Sequence, residues 1–125
     1  MKKLILVIGL FGVALFVIYK LVNWYSYSQK FNKATWDEGD LGFGYPNRKY
    51  MLNDLIKNHQ IDGLSYKQLV DSIGEPRIDS GSYEAYYNIE LDYGWDIDPV
   101  YSKDLVIQLN QDSVVTGFRF KEWKH

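Results

Sequence analysis

A chain of 125 residues with 14 basic side chains, 16 acidic ones and no cysteine has room for one modest domain. The missing cysteine excludes from it structural disulfides, thiol catalysis, thiolate metal sites and a lipid-modified cysteine. Charge divides the chain: residues 1–33 carry five lysines and no acid, whereas residues 34–125 carry nine Lys or Arg against all sixteen Asp and Glu. A folded part so acidic argues against nucleic acid and against an anionic membrane surface as its ligand, because both demand phosphate-neutralising cations.

Residues 1–28 read as a transmembrane anchor. Met1-Lys2-Lys3 leads into an uncharged run of 16 residues, Leu4 to Tyr19, and continuation through Lys20 to Val22 makes 19. At about 1.5 Å per residue that is roughly 28 Å of helix, close to a hydrocarbon thickness of about 30 Å, so the bilayer is expected to take residues 4–22. Lys20 can lay its stem along the apolar core and reach the headgroups, and Trp24, Tyr25 and Tyr27 fall where an aromatic belt belongs. The competing reading is a secretory signal cleaved near Ser28, favoured by the basic head and the small-x-small run Ser26-Tyr27-Ser28. Against it stand the length of the apolar run and bulky aromatics where a cleavage region wants small side chains. Lys2 and Lys3 are nearly balanced by Lys20, Lys30 and Lys33, and the basic head before the apolar run favours a single pass with the domain facing the periplasm or cell exterior.

Residues 29–47 read as a juxtamembrane linker. Gln29 to Ala34 is expected to extend the membrane helix, and Asp37 to Pro46, with three glycines and a proline, to be irregular. Trp36, Phe43 and Tyr45 are costly to leave in water, so this linker should pack on the domain. Residues 48–125 then form a small α+β domain. Met51 (or Leu52), Leu55 and Ile56 recur at helical spacing after Asn47, a candidate N-cap, which predicts a helix over about 48–59.

A second, short helix over about 65–73 carries the clearest local signals. Ser65 with Gln68 makes a capping box, Leu64 can staple onto Leu69, and Leu69, Val70 and Ile73 form the buried face. Gly74 fits a left-handed C′ position and Pro76 stops continuation, while Gly63 turns the chain before the helix. From Tyr83 the period becomes two, with Tyr83, Ala85, Tyr87, Ile89 and Leu91 inward and Glu84, Tyr86, Asn88, Glu90 and Asp92 outward. A second strand turns Leu105, Ile107 and Leu109 inward. A third sets Val114, Thr116, Phe118 and Phe120 on one face and Val115, Gly117, Arg119 and Lys121 on the other. The expected fold is an α-α-β-β-β domain behind a transmembrane helix, two helices covering a three-stranded antiparallel sheet.

That order, with Arg48-Lys49-Tyr50-Met51, Asp54-Leu55-Ile56, Gly63-Leu64-Ser65-x-x-Gln68-Leu69-Val70 and Ile73-Gly74-Glu75-Pro76, resembles a known family. It is similar to the small α-α-β-β-β domain of the lipoprotein component of the outer-membrane β-barrel assembly machinery, and to the repeats of the β-lactamase inhibitor protein. The resemblance covers about 48–121 and departs at the acylated cysteine, which this chain lacks. It implies a fold and a protein-binding scaffold in the cell envelope.

Chemistry-bearing constellations are weak. Asp92, Asp96, Asp98 and Asp104 lack the spacing of a calcium loop. Glu84, Glu90 and Asp92 share a strand face with no apolar pocket to split their pKa values, and His59 and His125 are isolated from other ligands in sequence. No catalytic residue, metal or cofactor is therefore expected, and the chain reads as a non-enzyme. Aromatics are the better lead, since Tyr and Trp dominate interface hot spots. Tyr86 on the outer strand face, with Tyr93, Trp95 and Tyr101 around the loop between the first two strands, are the partner-binding candidates, set against the plainer reading that the loop residues lid the sheet. The expected partner is a membrane or envelope protein. The alternative is an inhibitor or immunity-type domain that blocks a basic enzyme cleft with its acidic strand and aromatic loop.

Overall fold

A computed structural model describes residues 1–79 and 81–125. The elements in chain order are α1 (Lys2–Ser26), α2 (Lys33–Trp36), α3 (Arg48–Asn58), α4 (Tyr66–Ile73), β1 (Arg77–Ile78), β2 (Glu84–Asp92), β3 (Tyr101–Leu109) and β4 (Val115–Lys124). The strands form one antiparallel meander in the order β1-β2-β3-β4. The fold is thus α+β behind an apolar helix. It differs from the sequence expectation by a fourth strand, β1, and by a one-turn helix, α2.

α1 is long and apolar enough to cross a membrane, and none of its residues is buried against protein. It stops at Ser26 and does not run on to Ala34 as expected, because the Ser28 hydroxyl donates to the Trp24 carbonyl at 2.6 Å and turns the chain. The Gln29 N–H then donates to the Tyr50 carbonyl and Asn53 Nδ2 donates to the Tyr27 carbonyl, which ties the exit of α1 to α3 within three residues of its end. Tyr27 and Tyr50 stack their rings 5.3 Å apart at the same joint.

The core gathers Trp36, Met51, Leu52, Leu55, Ile61, Leu69, Ile73, Ala85, Tyr87, Ile89, Leu105, Ile107 and Val115. Trp36 is wholly buried, so the juxtamembrane segment contributes its largest side chain to the centre of the domain. α4 forms as its caps dictate: the Gln68 N–H donates to Ser65 Oγ, and the Ser65 N–H donates to Gln68 Oε1. Gly74 ends it at φ 106°, ψ 178°, an extended glycine conformation in place of the expected left-handed one.

An expected inward position is corrected, and the two faces of β4 are distinguished. Tyr83 precedes β2 and is 58% exposed, since the turn from Asp79 to Ser82 delivers the chain to the sheet only at Glu84. In β4 the pairing passes from Gln108↔Gly117 to Leu109↔Val115, so Thr116 is a bulge residue and Val115, not Val114 or Thr116, enters the core. Phe118 and Phe120 lie opposite Ile107 and Leu105, yet both stay exposed because the helices cover β2 and β3 and stop short of β4.

Candidate interaction surfaces

The most heavily built polar feature is a clasp around Arg48, which is buried at 3% exposure. Its Nε donates to the Trp36 carbonyl and its Nη1 to the Asn88 carbonyl, each at 3.0 Å, and Nη2 lies 3.6 Å from Asp37 Oδ1. The guanidinium sits 3.4 Å from the centroid of Tyr45, with Trp36 and Tyr87 farther out. Burial lowers its pKa, and the Tyr45 hydroxyl and the Asp37 carboxylate oppose that shift. Asn88 lies on β2 beyond the two residues paired with β1, so Arg48 supplies the donor that this strand edge would otherwise lack.

The same ring of residues explains Gly74. A Cβ there would fall 2.6 Å from Asp37 Oδ1, and the Tyr87 hydroxyl donates to the Gly74 carbonyl at 2.8 Å. Burial raises the Tyr87 phenol far above its ordinary range, with the Tyr66 hydroxyl adding to the shift, and keeps it a donor. The clasp joins the segment at 36–48 to β2 and to the end of α4, while Trp36 Nε1 and Asn88 Oδ1 stay buried beside it without a hydrogen-bond partner.

A second knot holds the chain just after α1. The Phe31 N–H donates to Asp54 Oδ2 at 2.8 Å, Asn58 Nδ2 donates to Oδ1 at 2.7 Å, and His59 Nε2 lies 3.1 Å away. Hydrogen bonds from Phe31 and Asn58 hold the Asp54 carboxyl below its ordinary value.

Of the four aromatic candidates, three are engaged within the domain. Tyr86 lies on the outer sheet face beneath Arg77, with Lys121 beside it. Tyr93 packs edge-on against Phe43, and the Tyr101 hydroxyl donates to Glu122 Oε1. Partial burial and then Glu122 raise the Tyr101 phenol above its ordinary value. Trp95 alone is free, completely exposed at the tip of the 93–100 loop, with Ile97 96% exposed beside it. The motif residues Gly63, Leu64, Ser65, Gln68, Gly74 and Pro76 surround α4 and do structural work there.

Two surfaces stand out, the first with no anticipation in the sequence and the second anticipated only through Trp95. One is β4, an edge strand whose residues 118–124 are all exposed, with Phe118 and Phe120 edge-to-face at 5.7 Å on its helix side. A shallow groove of about 300 Å³ runs from Phe118 to Ile56 and Ile61. The other is the pair of loop tips at 41–43 and 95–97, joined through the Phe43–Tyr93 ring contact. Alternation of Phe118 and Phe120 with Arg119 and Lys121 is visible in sequence, but only the helix placement leaves it uncovered.

As for chemistry, Glu84 is ion-paired with Arg119 at 2.6 Å, which removes it from the carboxylate set on β2. Among the described residues no group of three His, Cys, Asp or Glu side chains lies close enough to hold a metal ion. Compared with protein-family models, with curated proteins and with solved structures, the chain matches none.

Proposed function

We infer that this chain is a membrane-anchored, non-enzymatic interaction domain that works by protein–protein contact in the assembly or maintenance of a cell envelope. The observation that carries the reading is β4: beyond Val115, whose main chain is bonded to Gly63 and Leu64, its outer edge from Thr116 to Lys124 is open, with an uncovered Phe118–Phe120 pair on one face and Arg119 and Lys121 on the other. Such an edge offers main-chain donors and acceptors for an added strand and alternating pockets for its side chains. The fitting partner is a membrane or envelope protein that presents an extended segment with apolar and acidic residues in alternation.

The test is copurification of the full chain from detergent-solubilised membranes, with Phe118→Asp/Phe120→Asp as the paired variant. A membrane protein that copurifies with the parent and is lost with the variant, while thermal unfolding of the two stays alike, supports the reading. Retention by the variant would sink it.

A second reading, the inhibitor of a basic enzyme cleft, is favoured by one observation: Asp96 and Asp98 flank free Trp95 and Ile97 on the exposed loop. It predicts a soluble basic partner whose binding weakens steeply with salt.

A further inference from the structure

We propose that the loop tips at Leu41–Phe43 and Trp95–Pro99 rest in the headgroup layer of the bilayer that α1 crosses, so that the domain lies against the membrane. This rests on the reading of α1 as a retained anchor. Leu41 is 95% exposed, Ile97 is 96% exposed and Trp95 is wholly exposed, an apolar display that water disfavours and that no part of the domain covers. Leu41 also sits at φ 48°, a left-handed backbone that costs a bulky side chain energy, so the chain accepts strain at a leucine it leaves in the open.

Their place in the fold selects the occupant. From Ser26 at the end of α1 to Gln29, already bonded to α3, is three residues, which at most about 3.5 Å each keeps the domain within roughly 10 Å of the anchor's end. Tyr50, which stacks on Tyr27 at that joint, shares a shallow depression with Phe43 and Tyr101, so the surface runs continuously from the tether to both loops. Beside the Trp95 tip lies Trp123, the amphipathic side chain typical of a bilayer interface. Asp96 and Asp98 on the same tip fit zwitterionic headgroups and would be repelled by an anionic leaflet.

The cysteine-free chain allows single-site labelling. Ile97→Cys and Leu41→Cys, each carrying an environment-sensitive fluorophore, would be reconstituted as the full chain in phosphatidylcholine vesicles containing spin-labelled lipid. Ala14→Cys within α1 serves as the anchor control. Gln111→Cys, in the turn at the other end of β3, serves as the far control, since nine strand residues at about 3.3 Å place it roughly 30 Å away. Insertion by the roughly 5–10 Å expected of interfacial apolar residues predicts about threefold stronger quenching at Ile97 and Leu41 than at Gln111. Equal quenching at Ile97 and Gln111, with Ala14 strongly quenched, overturns the proposal and leaves the anchor standing. An unquenched Ala14 removes the anchor and the proposal together. A blue shift at Ile97 without lipid quenching means that a second copy of the chain covers the tip, and overturns it.

Discussion

Arg48 spends its charge on two main-chain carbonyls and an aromatic ring, and Asp37, with its side chain 40% exposed, supplies only the outer member of the pair. Removing the guanidinium strands the Trp36 and Asn88 carbonyls, so Arg48→Ala should cost about 3 kcal/mol in denaturant unfolding, and Arg48→Lys should recover less than half because an ammonium lacks the planar fork. Asp37→Asn should cost below about 1 kcal/mol, as a screened partner does. Gly74→Ala places a methyl against the Asp37 carboxylate at a φ of 106° and should cost about 2–3 kcal/mol. Asp54 supplies a pH dependence. Its folded pKa lies below the ordinary 3.8, so its stabilisation is complete above that value and drains away as pH falls through the folded one. The stability gap between the parent and Asp54→Asn should therefore be widest above about pH 5 and close in stronger acid, measured by urea unfolding across that range.

At the scale of elements, α4 was legible in its bounds and its N-cap because those signals are local. Cap, staple and stop lie within thirteen residues, from Leu64 to Pro76, and the structure realises the box with both hydrogen bonds, while Gly74 ends the helix extended and Val70 stays half-buried. Ser65→Ala should cost about 1 kcal/mol of thermal stability, the ordinary worth of an N-cap. β2 was legible from Ala85 to Ile89 for the same reason, since buried and half-buried residues alternate there, but a register shift between Asn88 and Glu90 leaves Leu91, expected inward, outside the core. What escaped reading depends on partners distant in sequence. β1 is two residues that exist only because Tyr86 and Ala85 stand opposite them, and α2 is a single turn stabilised by the burial of Trp36. The faces of β4 were shifted by a bulge, which obeys the register with β3 and leaves no mark in the alternation of β4 itself. The interaction surfaces follow the same rule: Trp95 was readable as a loop aromatic, whereas Phe118 and Phe120 become a surface only where the helices end.

On the scale of the whole molecule, an apolar helix of 25 residues, about 37 Å at 1.5 Å per residue, precedes an acidic domain, and the two meet through hydrogen bonds at Tyr27, Gln29 and Phe31. Native membranes extracted with alkaline carbonate should keep the full-length chain in the pellet, with an intact mass that begins at Met1. A mass beginning near Gln29 in the soluble fraction would mean a cleaved leader and would leave the domain unmoored.

The bonded joint between α1 and α3 makes the anchor a shaft and the domain its key. A helix advances about 100° per residue, so one residue inserted between Leu21 and Val22 would turn the face of the helix before it by more than a quarter turn relative to β4 and the loop tips, without altering one contact inside the domain. Which side of the helix lies under a given edge of the domain is therefore written in the number of residues between them.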